Sequence, residues 1–161
     1  ASHAPLLARA AAAYRPLLEE LPFDVLAGIP YAGLPIATAL ALQTGKPMVY
    51  PRREVKDYGT RAPVEGQFQP GDRAILIDDV ATSGGSKVEA AERLRAAGLE
   101  VRDVVVLVDR QSGAAEALEK VGLRLHSLFT LAGLLELWEA DGLVAADVVE
   151  RVRAWAKSES R

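Results

Sequence analysis

Cysteine is absent from this chain of 161 residues. Its absence excludes disulfide bonds and thiolate metal sites, and it fits a reducing compartment such as the cytoplasm. The net charge is only −3, so no general positive field favours nucleic acid as a partner. Half of the residues are apolar and a quarter are charged, as in ordinary globular proteins. We therefore expect a single domain over residues 1–161.

No uninterrupted hydrophobic run is long enough to indicate a membrane-spanning helix. Residues 25–42 carry no charge, but Pro30 and Pro35, together with Gly28 and Gly33, interrupt them. A strand, a turn and a helix explain this composition better than a membrane span does. The chain also opens without the basic start and apolar core of a signal peptide. We therefore expect no membrane association.

The order of the predicted elements indicates an α/β fold. Short apolar segments alternate with helix-like segments, which is typical of right-handed βαβ units and of a mostly parallel sheet with helices on both faces. We predict strands at 24–29, 47–50, 73–77, 101–108 and 124–128. We predict a long loop over 51–70 and helices at 6–21, 34–44, 85–97, 114–121, 130–140 and 145–157.

The most distinctive motif follows the third predicted strand, at the edge where open α/β sheets bind ligands. Asp78 and Asp79 are adjacent, so a strand would turn their side chains in opposite directions. After Val80 and Ala81, the five residues Thr-Ser-Gly-Gly-Ser at 82–86 bring hydroxyls and unhindered N–H groups to the start of a helix, which favours phosphate. The motif does not fit the Walker pattern, and the dinucleotide pattern G-x-G-x-x-G is absent.

Two carboxylates beside a phosphate loop indicate a ligand with both a phosphate and hydroxyls. The acids would repel a bare phosphate, because like charges repel. A ribose 5-phosphate would satisfy both halves of the motif, since the loop would take the phosphate and the acids the 2- and 3-hydroxyls. The alternative is that the acids and hydroxyls only cap a helix, which the whole string of residues makes the less favoured interpretation.

Three further segments combine a strand end with unusual chemistry. Residues 51–61, PRREVKDYGTR, could form a mobile cationic loop that closes on a diphosphate, or an ordinary solvated charge cluster. Arg110 at a strand end could clamp a planar carboxylate, or could be a surface arginine. The turn at 28–33, with a glycine at each end, could present N–H groups to an anion, or could be a plain connection.

Together these segments resemble type I phosphoribosyltransferases, and in particular the orotate phosphoribosyltransferases of UMP synthases. The resemblance rests on ILIDDVATSGGSK at 75–87, on PRREVKDYGT with VEG at 51–66, on DRQSG at 109–113 and on GLRLHSLFTLAGLLELWE at 122–139. It extends from about residue 6 to residue 157. It implies the type I phosphoribosyltransferase fold and transfer of the phosphoribosyl group from phosphoribosyl diphosphate (PRPP) to orotate, with Mg²⁺ as cofactor.

The resemblance also implies a role for individual residues. Lys56, Asp78 and Asp79 are the implied catalytic residues, and the two acids would meet Mg²⁺ only through PRPP hydroxyls or water. The residues implied to bind PRPP are Arg52, Arg53, Lys56, Tyr58, Asp78, Asp79, Val80, Ala81, Thr82, Ser83, Gly84, Gly85 and Ser86. Thr82 and Arg110 are implied to bind orotate, and Tyr31, Ala32 and Gly33 to form the pyrophosphate loop.

The sequence departs from the family pattern at three positions. Arg53 stands where lysine is usual, which keeps the charge. Tyr58 stands where many bacterial members have histidine, which keeps a hydrogen bond but disfavours proton transfer. Ala32 stands where many bacterial members have lysine, so one cation is lost. Nothing in the chain matches the family's N-terminal hood.

The resemblance further implies a homodimer in which the loop 51–61 acts in the partner's site, and it allows a fusion with orotidine 5′-phosphate decarboxylase. Two alternatives stay open: a phosphoribosyltransferase for another base, and a regulatory module that binds PRPP without turnover. His126 on an apolar strand is expected to be structural. Trp138 and Trp155 are expected to serve packing or an interface.

Overall fold

The computed structural model describes residues 3–52 and 63–159, which form an α/β fold. The strands are β1 (Val25–Gly28), β2 (Met48–Pro51), β3 (Val64–Glu65), β4 (Arg73–Ala81), β5 (Glu100–Asp109) and β6 (Arg124–Thr130). The helices are α1 (Ala4–Glu19), α2 (Gly33–Thr44), α3 (Gly85–Ala96), α4 (Ala114–Glu119), α5 (Leu131–Ala140) and α6 (Ala146–Glu159).

The strands form one sheet in the order β3-β2-β1-β4-β5-β6. Neighbouring strands from β2 to β6 run parallel, and β3 pairs antiparallel with β2. The sheet is therefore mostly parallel, as the alternation of strands and helices predicts. Its strands β1, β4 and β5 end at the same edge, where the turns that follow them meet.

Two apolar clusters cover the two faces of the sheet. Along β4, Ile75 and Ile77 pack with residues of α1 and α2, whereas Ala74 and Leu76 pack with residues of α3 and α4. This alternation follows from the period of two residues in a strand. Fully burying an aliphatic side chain of this size stabilises the fold by roughly 1.5–3 kcal/mol. The prediction of helices on both faces is confirmed.

The uncharged residues 25–42 form β1, a turn and most of α2, as predicted. Gly45 follows α2 with φ of +69°, the left-handed conformation that commonly ends a helix at glycine. Among residues 3–52 and 63–159, no helix is both long and apolar enough to cross a membrane.

The structure corrects two predicted boundaries. Strand β4 continues past residue 77 to Ala81, so Asp78 and Asp79 lie inside the strand, because pairing with β5 extends to Ala81 and Asp109. The predicted loop 51–70 contains strand β3, which pairs with the end of β2 as a short hairpin stem. A two-residue strand has no periodicity that a sequence could reveal.

Candidate functional site

Three of the predicted motifs meet at the carboxyl edge of the sheet. The main-chain N–H of Ile29, just after β1, donates to the carbonyl of Ile77 in β4 at 3.0 Å. The main-chain N–H of Arg110, just after β5, donates to the carbonyl of Ala81 at 2.9 Å. The turn after β1, the loop after β4 and the loop after β5 therefore lie side by side.

Of the fourth motif, 51–61, the structure describes only Pro51 at the end of β2 and Arg52 directly after it. The Arg52 N–H donates to the carbonyl of Pro63 at 2.9 Å. The Arg52 guanidinium pairs with Glu65, and its carbonyl accepts from the guanidinium of Arg93 in α3. These contacts tie the hairpin stem to α3. The predicted contacts of Arg53, Lys56 and Tyr58 lie outside the described residues.

Asp78 and Asp79 occupy unlike environments, as their adjacent positions in a strand predict. Asp78 is only 6% exposed, and its Oδ2 accepts from the Lys87 ammonium at 2.6 Å. Burial raises the pKa of the Asp78 carboxyl, and the hydrogen bond from Lys87 opposes that shift. The Tyr14 hydroxyl donates to the Asp78 carbonyl at 2.8 Å. Asp79 is half-buried, so it is the acid that a ligand reaches more readily.

The loop after β4 leads directly into α3. Gly84 is the N-cap, with φ of +84°, a conformation that favours glycine. The first turn of α3 contains no acidic residue, and no side chain caps it. The alternative that the acids and hydroxyls serve as helix caps is therefore wrong. The N–H groups of Gly85 and Ser86 come before the first helical hydrogen bonds of α3, which Lys87 and Val88 donate to the Gly84 carbonyl. Ser83, Gly85 and Ser86 are exposed at this helix start. This arrangement suits a phosphate.

Lys87 was not among the predicted site residues, although it is the most buried charged side chain here, with 4% exposure. Its ammonium contacts Asp78, the carbonyl of Val80 and the hydroxyl of Ser86. One signal was present in the sequence, a lysine directly after the loop. In the Walker pattern the lysine stands elsewhere, so that pattern assigns Lys87 no role.

The turn after β1 depends on close packing at its glycines. A Cβ on Gly33 would lie 2.3 Å from the carbonyl oxygen of Ile77, so only glycine lets α2 approach β4. The Gly33 N–H donates to the Ile29 carbonyl at 3.0 Å, so this N–H group is used within the turn. The glycine thus serves close packing, whichever other N–H groups of the turn meet an anion. Tyr31 and Ala32 are exposed at the tip of the turn, and the Pro30–Tyr31 peptide bond is cis.

The Arg110 side chain turns towards the C-terminal helices. Its guanidinium carbon lies 4.5 Å from the centre of the Trp155 ring in α6, within cation–π range. Arg110 also lines a pocket of about 420 Å³. The other lining residues are Gln111, Leu131, Ala132, Leu135, Arg153 and Ala156. Trp155 was predicted to serve packing or an interface, and the structure places it against the arginine predicted to bind the base.

His126 lies away from this edge, near the start of β6. Its Nε2 is 2.8 Å from Asp103 Oδ1, and the Arg124 guanidinium contacts the same carboxylate. The prediction that His126 is structural is confirmed. Trp138 in α5 is half-buried, consistent with packing.

The donor set fits a metal ion that arrives with its ligand. Within the described ranges, no group of three or more histidine, cysteine or acidic side chains could hold a metal ion. Asp79 offers a half-buried carboxylate, the hard oxygen ligand that Mg²⁺ prefers. Because Mg²⁺ usually binds through one or two carboxylates together with substrate phosphates, this edge could accommodate it once a phosphate ester is bound.

Comparisons with known proteins agree with this geometry. Residues 4–125 match the family model described as phosphoribosyl transferase domain. Orotate phosphoribosyltransferase of Cenarchaeum symbiosum is 49% identical over 81% of this chain and 65% of that protein. Leishmania donovani UMP synthase superposes with a TM-score of 0.89 and 39% identity, over 98% of this chain and 34% of that one.

A third similar protein was solved with a ligand. Mycobacterium tuberculosis orotate phosphoribosyltransferase in complex with PRPP superposes with a TM-score of 0.71 and 30% identity, over 82% of this chain and 77% of that one. The chain spans only 28% of the length of two curated relatives that it matches, a bifunctional enzyme PyrF/PyrE of Nostoc and the uridine 5′-monophosphate synthase of Bos taurus.

Proposed function

This chain belongs to the phosphoribosyl transferase domain family, and on that premise we propose that it is the transferase part of an orotate phosphoribosyltransferase. The reaction is the transfer of the phosphoribosyl group of PRPP to orotate, which gives orotidine 5′-phosphate and diphosphate, a step of UMP biosynthesis. The observation that carries the proposal is the hydrogen bond from the Arg110 N–H to the Ala81 carbonyl. It sets the candidate base-binding arginine beside the candidate phosphate loop.

The loop after β4 would receive the 5-phosphate of PRPP. The N–H groups of Gly85 and Ser86 at the start of α3 and the hydroxyls of the exposed residues Ser83 and Ser86 would surround that position. Asp79 would accept hydrogen bonds from the ribose hydroxyls. Asp78 would act on the ribose less directly, because one of its carboxylate oxygens already accepts a hydrogen bond from Lys87. A carboxylate beside the sugar stabilises the positive charge that grows on the ribose as its bond to diphosphate breaks.

The diphosphate would leave between two segments. The turn tip at Tyr31 and Ala32, two exposed residues, would lie on one side of it. The loop 51–61 would bring Arg53, Lys56 and Tyr58 from the other side, with Lys56 as the main cation that stabilises the leaving group. Mg²⁺ bound with PRPP near Asp78 and Asp79 would neutralise further diphosphate charge.

Orotate would lie where the loops after β4 and β5 meet. Its carboxylate is planar, and the Arg110 guanidinium can donate two parallel hydrogen bonds to it. Thr82, half-buried at the adjacent strand end, would supply a second contact. The Trp155 ring would restrain the arginine in the direction of its substrate.

We propose the same assembly that the family resemblance implies. The chain would act as a cytoplasmic homodimer in which the loop 51–61 reaches the partner's site. Its similarity to bifunctional proteins and to UMP synthase supports action with, or fusion to, orotidine 5′-phosphate decarboxylase.

An acceptor panel tests the proposal against its two rivals. The chain is mixed with PRPP and Mg²⁺, and orotate, uracil, adenine or hypoxanthine is added in turn while diphosphate release is measured. The proposal is supported if, of the four bases, only orotate is turned over and Arg110→Ala abolishes that turnover. Turnover with another base that Arg110→Ala leaves intact favours the first rival. PRPP binding without turnover of any base favours the regulatory module.

A further inference from the structure

A buried lysine spans the base of the loop after β4. The Nζ atom of Lys87 lies 2.6 Å from Asp78 Oδ2, 2.6 Å from the Val80 carbonyl oxygen and 3.3 Å from the Ser86 hydroxyl oxygen. An ammonium group has three N–H donors, so every donor of Lys87 has an acceptor within the protein. With 4% exposure, the side chain lies beneath the loop and not at its surface.

The partners of Lys87 belong to the two ends of the loop. Val80 lies where the chain leaves the sheet, and Ser86 lies in the first turn of α3. The main-chain N–H of Lys87 adds a bond to the Gly84 carbonyl at 2.9 Å. Lys87 thus links the end of β4 to the start of α3. The spacing of these two elements sets the direction of the N–H groups of Gly85 and Ser86.

The charge of Lys87 has a second effect. Asp78 shares the Lys87 ammonium with Val80 and Ser86, which flank the candidate phosphate loop. An unpaired carboxylate so close to the loop would repel a phosphate dianion bound there. The ammonium at 2.6 Å neutralises that carboxylate. The buried pair is neutral overall, so the N–H groups of α3 remain the groups that attract the ligand.

We propose that Lys87 is a positioning residue for the 5-phosphate of PRPP. It holds the segment from Val80 at the end of β4 to Ser86 in α3 in the shape that accepts phosphate, and it cancels the charge of Asp78. It acts through these groups and does not touch the substrate. The inference rests on the proposed function, because it takes PRPP as the ligand of this edge.

The test is calorimetric titration of the chain with three probes, namely ribose 5-phosphate, Mg²⁺–PRPP and inorganic diphosphate. In Lys87→Met, the dissociation constants of ribose 5-phosphate and PRPP should rise about 10- to 100-fold, the equivalent of losing a hydrogen bond to a charged group. The dissociation constant of diphosphate should change less than about twofold, well below that loss. Lys120→Met, at an exposed lysine after α4, is the matched control and should bind all three probes as the wild type does.

A second variant separates binding from folding. Lys87→Met leaves a buried acid unpaired, which can destabilise the chain. The double variant Lys87→Met/Asp78→Asn removes both the ammonium and the carboxylate of the buried pair. It should unfold cooperatively, which would show that it is folded. It should recover part of the ribose 5-phosphate affinity, because the repulsion is gone. It should stay weaker than the wild type, because the bonds to Val80 and Ser86 are also gone.

Three outcomes would overturn the inference. A folded variant that binds ribose 5-phosphate as well as the wild type would show that Lys87 positions nothing. Equal weakening for all three probes would show only a general structural role. A wild-type chain that binds neither PRPP nor ribose 5-phosphate would overturn the proposed function itself, and the inference with it.

Discussion

The guanidinium carbon of Arg110 lies 4.5 Å from the centre of the Trp155 ring. The two residues are far apart in the chain, and α6 brings the ring to the loop after β5. The contact restrains a long flexible side chain at the position proposed to recognise orotate. Under the proposed function, helix α6 would support the base site through Trp155.

Trp155→Ala should raise the KM for orotate and leave the KM for PRPP unchanged. A cation–π contact is worth about 0.5–2 kcal/mol, which corresponds to roughly 2- to 30-fold in KM. Steady-state kinetics with each substrate varied in turn would measure the effect. Trp155→Phe should keep most of the affinity, because it keeps an aromatic face. Leu137→Ala, at an exposed residue of α5, is the matched control. An equal rise in both KM values would refute the proposed role.

The two adjacent acids should respond differently to the same substitution. Asp79→Asn should lower kcat/KM for PRPP by about 10- to 100-fold, because it weakens a charged contact to the ribose. The free energy of unfolding should change little, since Asp79 is half-buried without the buried lysine partner that Asp78 has. Asp78→Asn should instead cost about 3–5 kcal/mol of stability, because it leaves the buried ammonium of Lys87 unpaired.

Urea denaturation and initial rates on the same preparations would separate these effects. Full activity of Asp79→Asn would refute the assignment of Asp79 to the ribose. Wild-type stability of Asp78→Asn would show that the pair of Asp78 and Lys87 does not stabilise the fold.

Gly33→Ala should destabilise the chain by about 1–3 kcal/mol, the usual cost of overpacking a tight site. The added Cβ would lie 2.3 Å from the Ile77 carbonyl oxygen, so α2 would have to move away from β4. The free energy of unfolding in urea would report the change. Gly85→Ala is the stability control, because nothing lies within 4 Å of its Cβ position. Equal stability of the two variants would contradict the close approach of α2 to β4.

Tyr14→Phe should cost about 1–3 kcal/mol at neutral pH, because it leaves the buried Asp78 carbonyl without its donor. Burial, followed by the charges of Asp78 and Asp79, raises the pKa of the Tyr14 hydroxyl above its ordinary value. A raised folded-state pKa gives stability that is complete below the unfolded pKa of about 10 and declines as the pH rises above it. The stability difference between wild type and Tyr14→Phe should therefore shrink above about pH 10. A difference that is constant from pH 7 to pH 11 would contradict the burial of a neutral hydroxyl.

The parts of the fold that depend on local pattern could be predicted from the sequence. The strand that contains Ile75 and Ile77 follows from its run of apolar residues. The end of α2 follows from Gly45, which comes directly after it. The antiparallel strand β3 could not be predicted, because two residues within a polar segment carry no period. The extension of β4 through both acids also could not, because it depends on pairing with β5.

The motifs of the candidate site were found in the sequence, but their internal contacts were not. The direction of Lys87 depends on how α3 docks against β4, and no spacing reveals that docking. The stacking of Trp155 on Arg110 depends on the path of α6 back to the sheet edge. The strict need for glycine at position 33 depends on the carbonyl of Ile77, which lies in β4. Each of these contacts depends on how a helix docks against a strand or loop, which local sequence patterns do not specify.

The most direct measurement is the rate at which orotate's ultraviolet absorbance falls when the chain is mixed with PRPP and Mg²⁺. Lys56→Ala is measured beside it under the same conditions. The account predicts orotate consumption that depends on PRPP and falls by about 100-fold or more in the variant, because a cation that stabilises the leaving group is lost. Consumption that does not need PRPP, or that Lys56→Ala leaves unchanged, would contradict it.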